Sequence, residues 1–348
     1  MTENKARLDI TDERRRLEKL FSTVNTALDD QEEELIEYYT SMGSQQPLLF
    51  ICYAPRSGST LFSQTLAASQ KFNYITNLVA RFWKAPLVAM ELQKSLKITS
   101  GNVDTQPGHQ YQSTFGATSG ISQPHEFGFF WNSCIPYGEA SHFVEKDAFS
   151  ERHLNKTKRH LNAICRFSEK PFFVKNAIAG INVHVLKRVF PSARFLIILR
   201  EPDKIAQSIL RAREKLFGDK AAWWSLMPAT TSLIREKKPL PEEQVVCQVR
   251  DIYNTIFQGL EDVNSRCAVV EYESFCAEPA EIVGKLLSFL NVEPELLELA
   301  KKIPTSFQAS RHIYIEKDEY SKILQAIDEL EITEVLQKIR SRFNVLDI

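Results

Sequence analysis

The 348-residue sequence predicts an α/β protein: a single domain with a mostly parallel central sheet, helices on both faces and an N-terminal helical arm. Three observations predict it. Four short runs, LLFICYA (48–54), FFVK (172–175), RFLIILR (194–200) and AVVEY (268–272), are apolar along most of their length instead of alternating. That is the pattern of strands buried on both faces of a parallel sheet. Segments with helical spacing follow these runs, as crossover connections require. The composition is globular, with 43% hydrophobic and 25% charged residues and a mean hydropathy of −0.25, which sets aside disordered, collagen-like and coiled-coil chains.

In chain order, residues 1–45 read as the arm. Leu17, Phe21, Val24 and Leu28 fall on one helical stripe within 11–41, with Thr11 or Asp12 able to cap its start. A second helical piece covers Glu32 to Thr40, and Met42 to Pro47 breaks it. Such an arm either packs on its own domain or forms a homodimer contact. Residues 46–348 form the α/β domain. Its first unit is the strand 48–54, a tight loop at 55–59 and a helix from Thr60 to Ser69. Later helices are expected at Ile181–Phe190, Asp203–Lys215 and Pro279–Leu290, the last with Ile282, Leu286, Leu287 and Leu290 on one face. A C-terminal helical segment spans 318–342. Residues 101–124 stand apart: they hold Gly101, Gly108, Gly116 and Gly120, four of the chain's 12 glycines, and show no period. A loop that long inside a domain is usually functional or disordered.

The loop after the first strand reads Pro55-Arg56-Ser57-Gly58-Ser59-Thr60-Leu61. A strand, a turn with glycine and a helix N-terminus together make an anion site, because backbone N–H groups and the positive helix end point at the ligand. Gly58 permits close backbone approach, Ser57, Ser59 and Thr60 offer hydroxyls, and Arg56 offers a guanidinium fork. Ser59 stands where the nucleoside-triphosphatase motif G-x-x-x-x-G-K-[ST] has lysine, which argues against an ordinary ATP or GTP site. Arg200 ends a buried strand, the edge at which parallel sheets bind ligands, and Ser208 follows on the next helix.

These motifs resemble the sulfotransferase family. Arg56 to Thr60 matches its phosphosulfate loop [RK]-[ST]-G-[ST]-[ST]. Arg200-Glu201-Pro202 with Ser208 matches its second motif, and residues 269–293 look like its strand-plus-helix V-x-Y-E-x-[LF]-x-x-x-P. Together they cover roughly residues 46–295, and two phosphate motifs in strand context are more specific than either alone. The resemblance implies a P-loop-like sulfotransferase fold. It implies transfer of a sulfuryl group from 3′-phosphoadenosine 5′-phosphosulfate (PAPS) to a hydroxyl, or an amine, without a metal. Arg56, Ser57, Gly58, Ser59, Thr60, Arg200 and Ser208 would then hold the donor, and 101–131 would be the acceptor-side loop. A kinase with a degenerate phosphate loop and a non-catalytic nucleotide-binding module are the competing readings.

Sulfuryl transfer needs in-line alignment, stabilised anionic charge and a base for the acceptor proton. Arg56 can serve the charge. Glu126 and His125 are the base candidates, with Glu126 favoured and His109 weaker. Lys175 either stabilises the bridging oxygen or faces solvent. Arg81, Arg311 and the Trp223-Trp224 pair are lesser candidates for the acceptor or nucleotide surface. The expected acceptor is a small molecule, lipid or glycan.

Lys and Arg number 43 against 44 Asp and Glu, a net charge of −1, which excludes a dedicated nucleic-acid binder. That balance hides local sign. Residues 183–215 carry eight bases (187, 188, 194, 200, 204, 211, 213, 215) against three acids, whereas 1–45 carries six bases against eleven acids. The basic stretch contains the second phosphate motif, where an anionic ligand needs it. The N-terminus has no signal-peptide core and no run reaches the ~20 apolar residues of a membrane span. The six cysteines (52, 134, 165, 247, 267, 276) form no C-x-x-C pair and read as reduced, packed hydrophobes. A soluble cytoplasmic protein is the expectation.

Overall fold

The structure, a computed structural model, describes residues 16–98, 111, 113–114 and 116–346. Its centre is a five-stranded sheet: β1 (Leu48–Tyr53), β2 (Phe172–Lys175), β3 (Arg194–Leu199), β4 (Cys267–Glu271) and β5 (Asn344–Val345). The order is β2-β1-β3-β4-β5 and every pairing is parallel. The four expected strands are present within a residue at each end; β5, two residues long, was not expected.

The unbroken apolar character of the strands has a direct cause. Alternate residues of β1 enter two different cores: Leu48, Phe50 and Cys52 on one face, Leu49, Ile51 and Tyr53 on the other. In β3, Phe195, Ile197 and Leu199 share the first core, while Leu196 and Ile198 share the second. Each fully buried Leu, Ile or Phe contributes about 1.5–3 kcal/mol, so neither face tolerates a polar residue there. The first face is covered by the helices Glu151–Phe167 and Pro241–Leu260, the second by Ser59–Ala68 and Pro279–Phe289. Pro241–Leu260, of 20 residues, is the longest helix among the described residues and had no sequence expectation. Its signals are nonetheless present: Pro241 in the first turn, followed by Glu242 and Glu243 at the positive helix end.

Two expectations are corrected. The single helix 181–190 is two, Ala177–Ile181 and Val183–Val189, joined at Asn182. The buried Asn182 side chain donates to His142 O and Ile178 O and accepts from Val144 N, so it anchors the break. The loop 101–124 is not wholly irregular: Ser113–Thr114 pairs antiparallel with Ala117–Thr118. The C-terminal segment likewise holds two helices, Lys317–Glu329 and Ile332–Arg342.

The described part of the arm packs on its own domain. Asn25 is fully buried; its side chain donates to Arg81 O and accepts from Lys84 N, both at 2.7–2.8 Å. Glu32 accepts the N–H groups of Leu87 and Val88 at the start of the helix Pro86–Ser95, and Ile36 lies in the first core.

Strand order reverses between β1 and β3, which run to neighbours on opposite sides. In such sheets the crevice beyond the carboxyl ends at the reversal is where ligands bind. The loop 54–58 and Arg200 both lie there.

Candidate active site

A cleft of about 400 Å³ opens at this switch point. Its floor is the loop and the first turn of Ser59–Ala68, with Arg56, Gly58, Ser59, Thr60 and Leu61 in the lining. Arg56 and Gly58 both take positive φ, 70° and 91°. Gly58 has no alternative: a Cβ there would lie 2.1–2.2 Å from the Tyr272 ring. The N–H groups of the first helical turn lack intrahelical acceptors and so are available to an anion.

The β3 side supplies the second wall. Arg56 Nε donates to Ser208 Oγ at 2.9 Å, which joins the two sequence motifs although they lie 152 residues apart. Arg200 donates to Arg56 O (3.0 Å) and Ser310 O (3.2 Å) and stacks on Tyr272, its guanidinium carbon 4.4 Å from the ring centroid. Its pairing is not with Glu201 or Glu214; the near carboxylate is Glu273 at 3.9 Å. Arg200 Nε is buried and has no hydrogen-bond partner. Burial, followed by the Arg200 charge, pulls the Arg56 guanidinium below its usual pKa. Two arginines held side by side in this way favour an anionic ligand between them.

At the other end lie Glu126 and Lys175. Lys175 is buried at the end of β2, its side chain 4% exposed, and donates to Glu126 Oε1 (2.7 Å) and Thr60 Oγ1 (3.1 Å). Tyr53, the last residue of β1, donates to the same Glu126 Oε1 at 3.0 Å. Lost hydration works to raise the Glu126 pKa, but the Lys175 charge and hydrogen bond and the Tyr53 hydroxyl outweigh it and hold the carboxyl below its usual range. The segment carrying Glu126 is fixed by backbone bonds His125 N to Ile75 O and Asn77 N to Gln123 O, and by Asn176 Nδ2 to Glu126 O.

A family model described as the Sulfotransferase family matches residues 47–295. The chain belongs to the sulfotransferase family. Two curated relatives, the omega-hydroxy-beta-dihydromenaquinone-9 sulfotransferases Stf3 of Mycobacterium bovis and Mycobacterium tuberculosis, are each 23% identical over 263 residues. That stretch covers 71% of this chain and 63% of theirs, so the chain spans less than two thirds of those relatives. Among solved structures, the sulfotransferase STF9 of Mycobacterium avium aligns with a TM-score of 0.55 at 15% identity, over 89% of this chain and 81% of that one. At that identity the likeness establishes the fold.

In this member of the family the cleft gathers Arg56, Gly58, Ser59, Thr60, Glu126, Arg200 and Ser208, with Lys175 reaching it through Glu126 and Thr60. Ser57 is not in the lining. It is fully buried and its N–H donates to Ala54 O, because the turn directs it under the loop. His125 also lies outside the lining: it is exposed, and its Nδ1 accepts the Phe127 N–H at 2.8 Å. Trp224 lines the cleft, whereas Trp223 lies beneath the guanidinium groups of Arg213 and Arg235. Arg81 and Arg311 are exposed and absent from the lining, and His109 lies outside the described residues.

The sequence reading missed Tyr53, Lys204, Gln207, Arg211, Tyr272 and Tyr314. Lys204, Gln207, Ser208 and Arg211 all line the cleft from the helix Pro202–Phe217, and helical spacing from Ser208 pointed to Lys204 four residues before it and Arg211 three after. Only three of the eight basic residues counted in 183–215 line the cleft: Arg200, Lys204 and Arg211. Arg213, by contrast, is fully buried and bonded to Gln244 and Gln248. No helix among the described residues is long and apolar enough to cross a membrane, and all six cysteines are free and buried.

Proposed function

We propose that the protein transfers the sulfuryl group of PAPS to an acceptor hydroxyl, with Glu126 as general base. The observation that carries this reading is the convergence of both phosphate motifs and an ionised carboxylate in one cleft.

The residues present fit the donor. Four cationic side chains (Arg56, Arg200, Lys204, Arg211) line the cleft against a single carboxylate, Glu126, among its lining residues. The buried Arg200 Nε, which has no hydrogen-bond partner and only the Glu273 carboxylate at 3.9 Å, is the kind of donor a phosphate oxygen satisfies. Arg200, Ser208 and Arg211 would take the 3′-phosphate, and Arg56 with the N–H groups at 58–61 the 5′-phosphate end. When bound, PAPS supplies a sulfuryl group activated by its phosphate leaving group. Around it the protein contributes fixed charge, which needs no reorganisation as the reaction proceeds. Lys175, held at Thr60, places an ammonium beside the phosphate loop. Glu126 directs Oε1 to Lys175 and Tyr53, which leaves Oε2 to take the acceptor proton. His125 serves less well because its Nδ1 is engaged and the ring lies outside the lining.

The acceptor is proposed to be the hydroxyl of a small molecule, lipid or glycan. The relatives named for a hydroxylated menaquinone support a lipid-like alcohol, and the Trp224 ring in the lining gives apolar surface for one. Six free, buried cysteines suit a reducing, cytoplasmic setting.

Calorimetry with adenosine 3′,5′-bisphosphate and with ATP–Mg²⁺ tests the donor class. Binding of the bisphosphate that is lost on removing its 3′-phosphate is expected. Tighter ATP–Mg²⁺ binding, with no effect of the 3′-phosphate, would overturn the reading in favour of a kinase. Transfer from [³⁵S]PAPS to a panel of alcohols, phenols and amines then identifies the acceptor, and bisphosphate binding without transfer to any member would favour a non-catalytic module.

A further inference from the structure

We infer that Tyr53 is a positioning residue that, together with Lys175, ties the base Glu126 to the phosphate loop; the inference rests on the proposed role of Glu126. The observation is a chain of hydrogen bonds that runs from Tyr53 to the phosphate loop. Tyr53 and Lys175 donate to the same oxygen, Glu126 Oε1, at 3.0 and 2.7 Å. Lys175 also donates to Thr60 Oγ1 at 3.1 Å. Thr60 of the phosphate loop is thus connected, through Lys175 at the end of β2, to the same carboxylate oxygen that Tyr53 holds from the end of β1.

This arrangement has three physical consequences. First, two donors on Oε1 fix the carboxylate plane, so Oε2 faces a defined position instead of sampling several. Second, the Tyr53 side chain is buried and its hydroxyl stays protonated across the working pH range, because burial and the Glu126 charge raise its pKa well above normal. Its proton is therefore always available to Glu126 Oε1, and the bond favours the ionised form of Glu126. Third, the carboxylate is held against the loop that would carry the donor, so base and donor are positioned by one rigid unit at the ends of β1 and β2. Lys175 alone would not do this: an ammonium on a flexible stem holds a charge near Glu126, whereas the phenol on a packed ring holds a direction.

The test is the titration of the Glu126 carboxyl, followed by ¹³C NMR of glutamate-labelled protein and assigned with Glu126→Gln. In the wild type it is expected below 4.5, the ordinary glutamate value. Tyr53→Phe keeps the ring and removes the donor, and should raise it by about one unit, the order expected for a lost hydrogen bond to a charge. The calorimetric Kd for adenosine 3′,5′-bisphosphate should stay within about twofold, since the phosphate contacts are untouched. An unmoved titration overturns the inference. Should Tyr53→Phe fail to fold, 3-fluorotyrosine placed at position 53 keeps the ring and strengthens the same donor; it should lower the titration further, and an unmoved value overturns the inference. The two readings fail separately. If Glu126→Gln transfers sulfate at the wild-type rate, Glu126 is not the base and Tyr53 has nothing to position. If Glu126→Gln is inactive and Tyr53→Phe leaves the titration in place, only the Tyr53 inference falls.

Discussion

Replacing Gly58 by alanine should damage stability and donor binding together. Gly58 sits at φ 91°, in the left-handed region, and a Cβ there would lie 2.1 and 2.2 Å from two carbons of the Tyr272 ring. Left-handed backbone costs an L-residue about 1–2 kcal/mol, and forcing a packed ring to move costs about 1–3 kcal/mol. The expected loss is therefore roughly 2–5 kcal/mol. An unfolding entropy of ~2.1 cal/mol/K per residue over this chain converts that to a fall of about 3–7 °C in Tm. Tyr272 also stacks on Arg200, so its displacement disturbs the guanidinium that holds Arg56 O. Affinity for adenosine 3′,5′-bisphosphate should fall by about tenfold or more. Gly218→Ala separates the two causes: Gly218 has φ 71° but nothing within 4 Å of its Cβ position. It should show the backbone strain alone, with unchanged affinity. Differential scanning calorimetry and binding calorimetry read both. A Gly58→Ala protein with a Tm within about 1 °C of the wild type and unchanged affinity would refute the argument that Tyr272 and the loop backbone form one packed unit.

Arg56→Ala and Arg200→Ala should each weaken bisphosphate binding by about tenfold or more, since each removes a charged donor from the cleft; unchanged affinity in both would remove the two motifs as the donor site. Glu126→Gln should abolish most transfer while binding persists, and His125→Ala should leave transfer near the wild-type rate; the reverse result in the [³⁵S]PAPS assay would make His125 the base. Glu32 gives a pH prediction. Burial raises its pKa from 4.5 to about 7, against the two N–H bonds that lower it and with Glu33 and Asp29 adding to the rise. The folded state thus keeps a proton that the unfolded chain loses near pH 4.5. The resulting stabilisation is full below that pH and gone once pH passes about 7. Glu32→Gln should therefore shrink the fall in urea-unfolding free energy between pH 5 and 8, by up to about 3 kcal/mol; an unchanged fall would mean that Glu32 is not protonated in the fold.

The sequence by itself determined the fold class and four of the five strand positions, and it singled out the loop 55–59 and the pair Arg200 and Ser208 as candidates. Those are local properties. A strand buried on both faces must be apolar at successive positions, and a loop entering a helix presents its N–H groups wherever it lies in the fold. The tertiary structure decided whatever depends on convergence. Glu126 and Lys175 meet across 49 residues, Tyr53 and Glu126 across 73, and Arg56 and Ser208 across 152. No spacing encodes such a meeting; it is set by which strand ends the sheet order brings together. The same packing keeps some polar and charged groups out of the cleft lining. Ser57 turned under the loop because its N–H closes on Ala54 O, and Arg213 turned inward to glutamine partners. The sequence named the kinds of groups present, and the sheet's switch point selected which of them face one another.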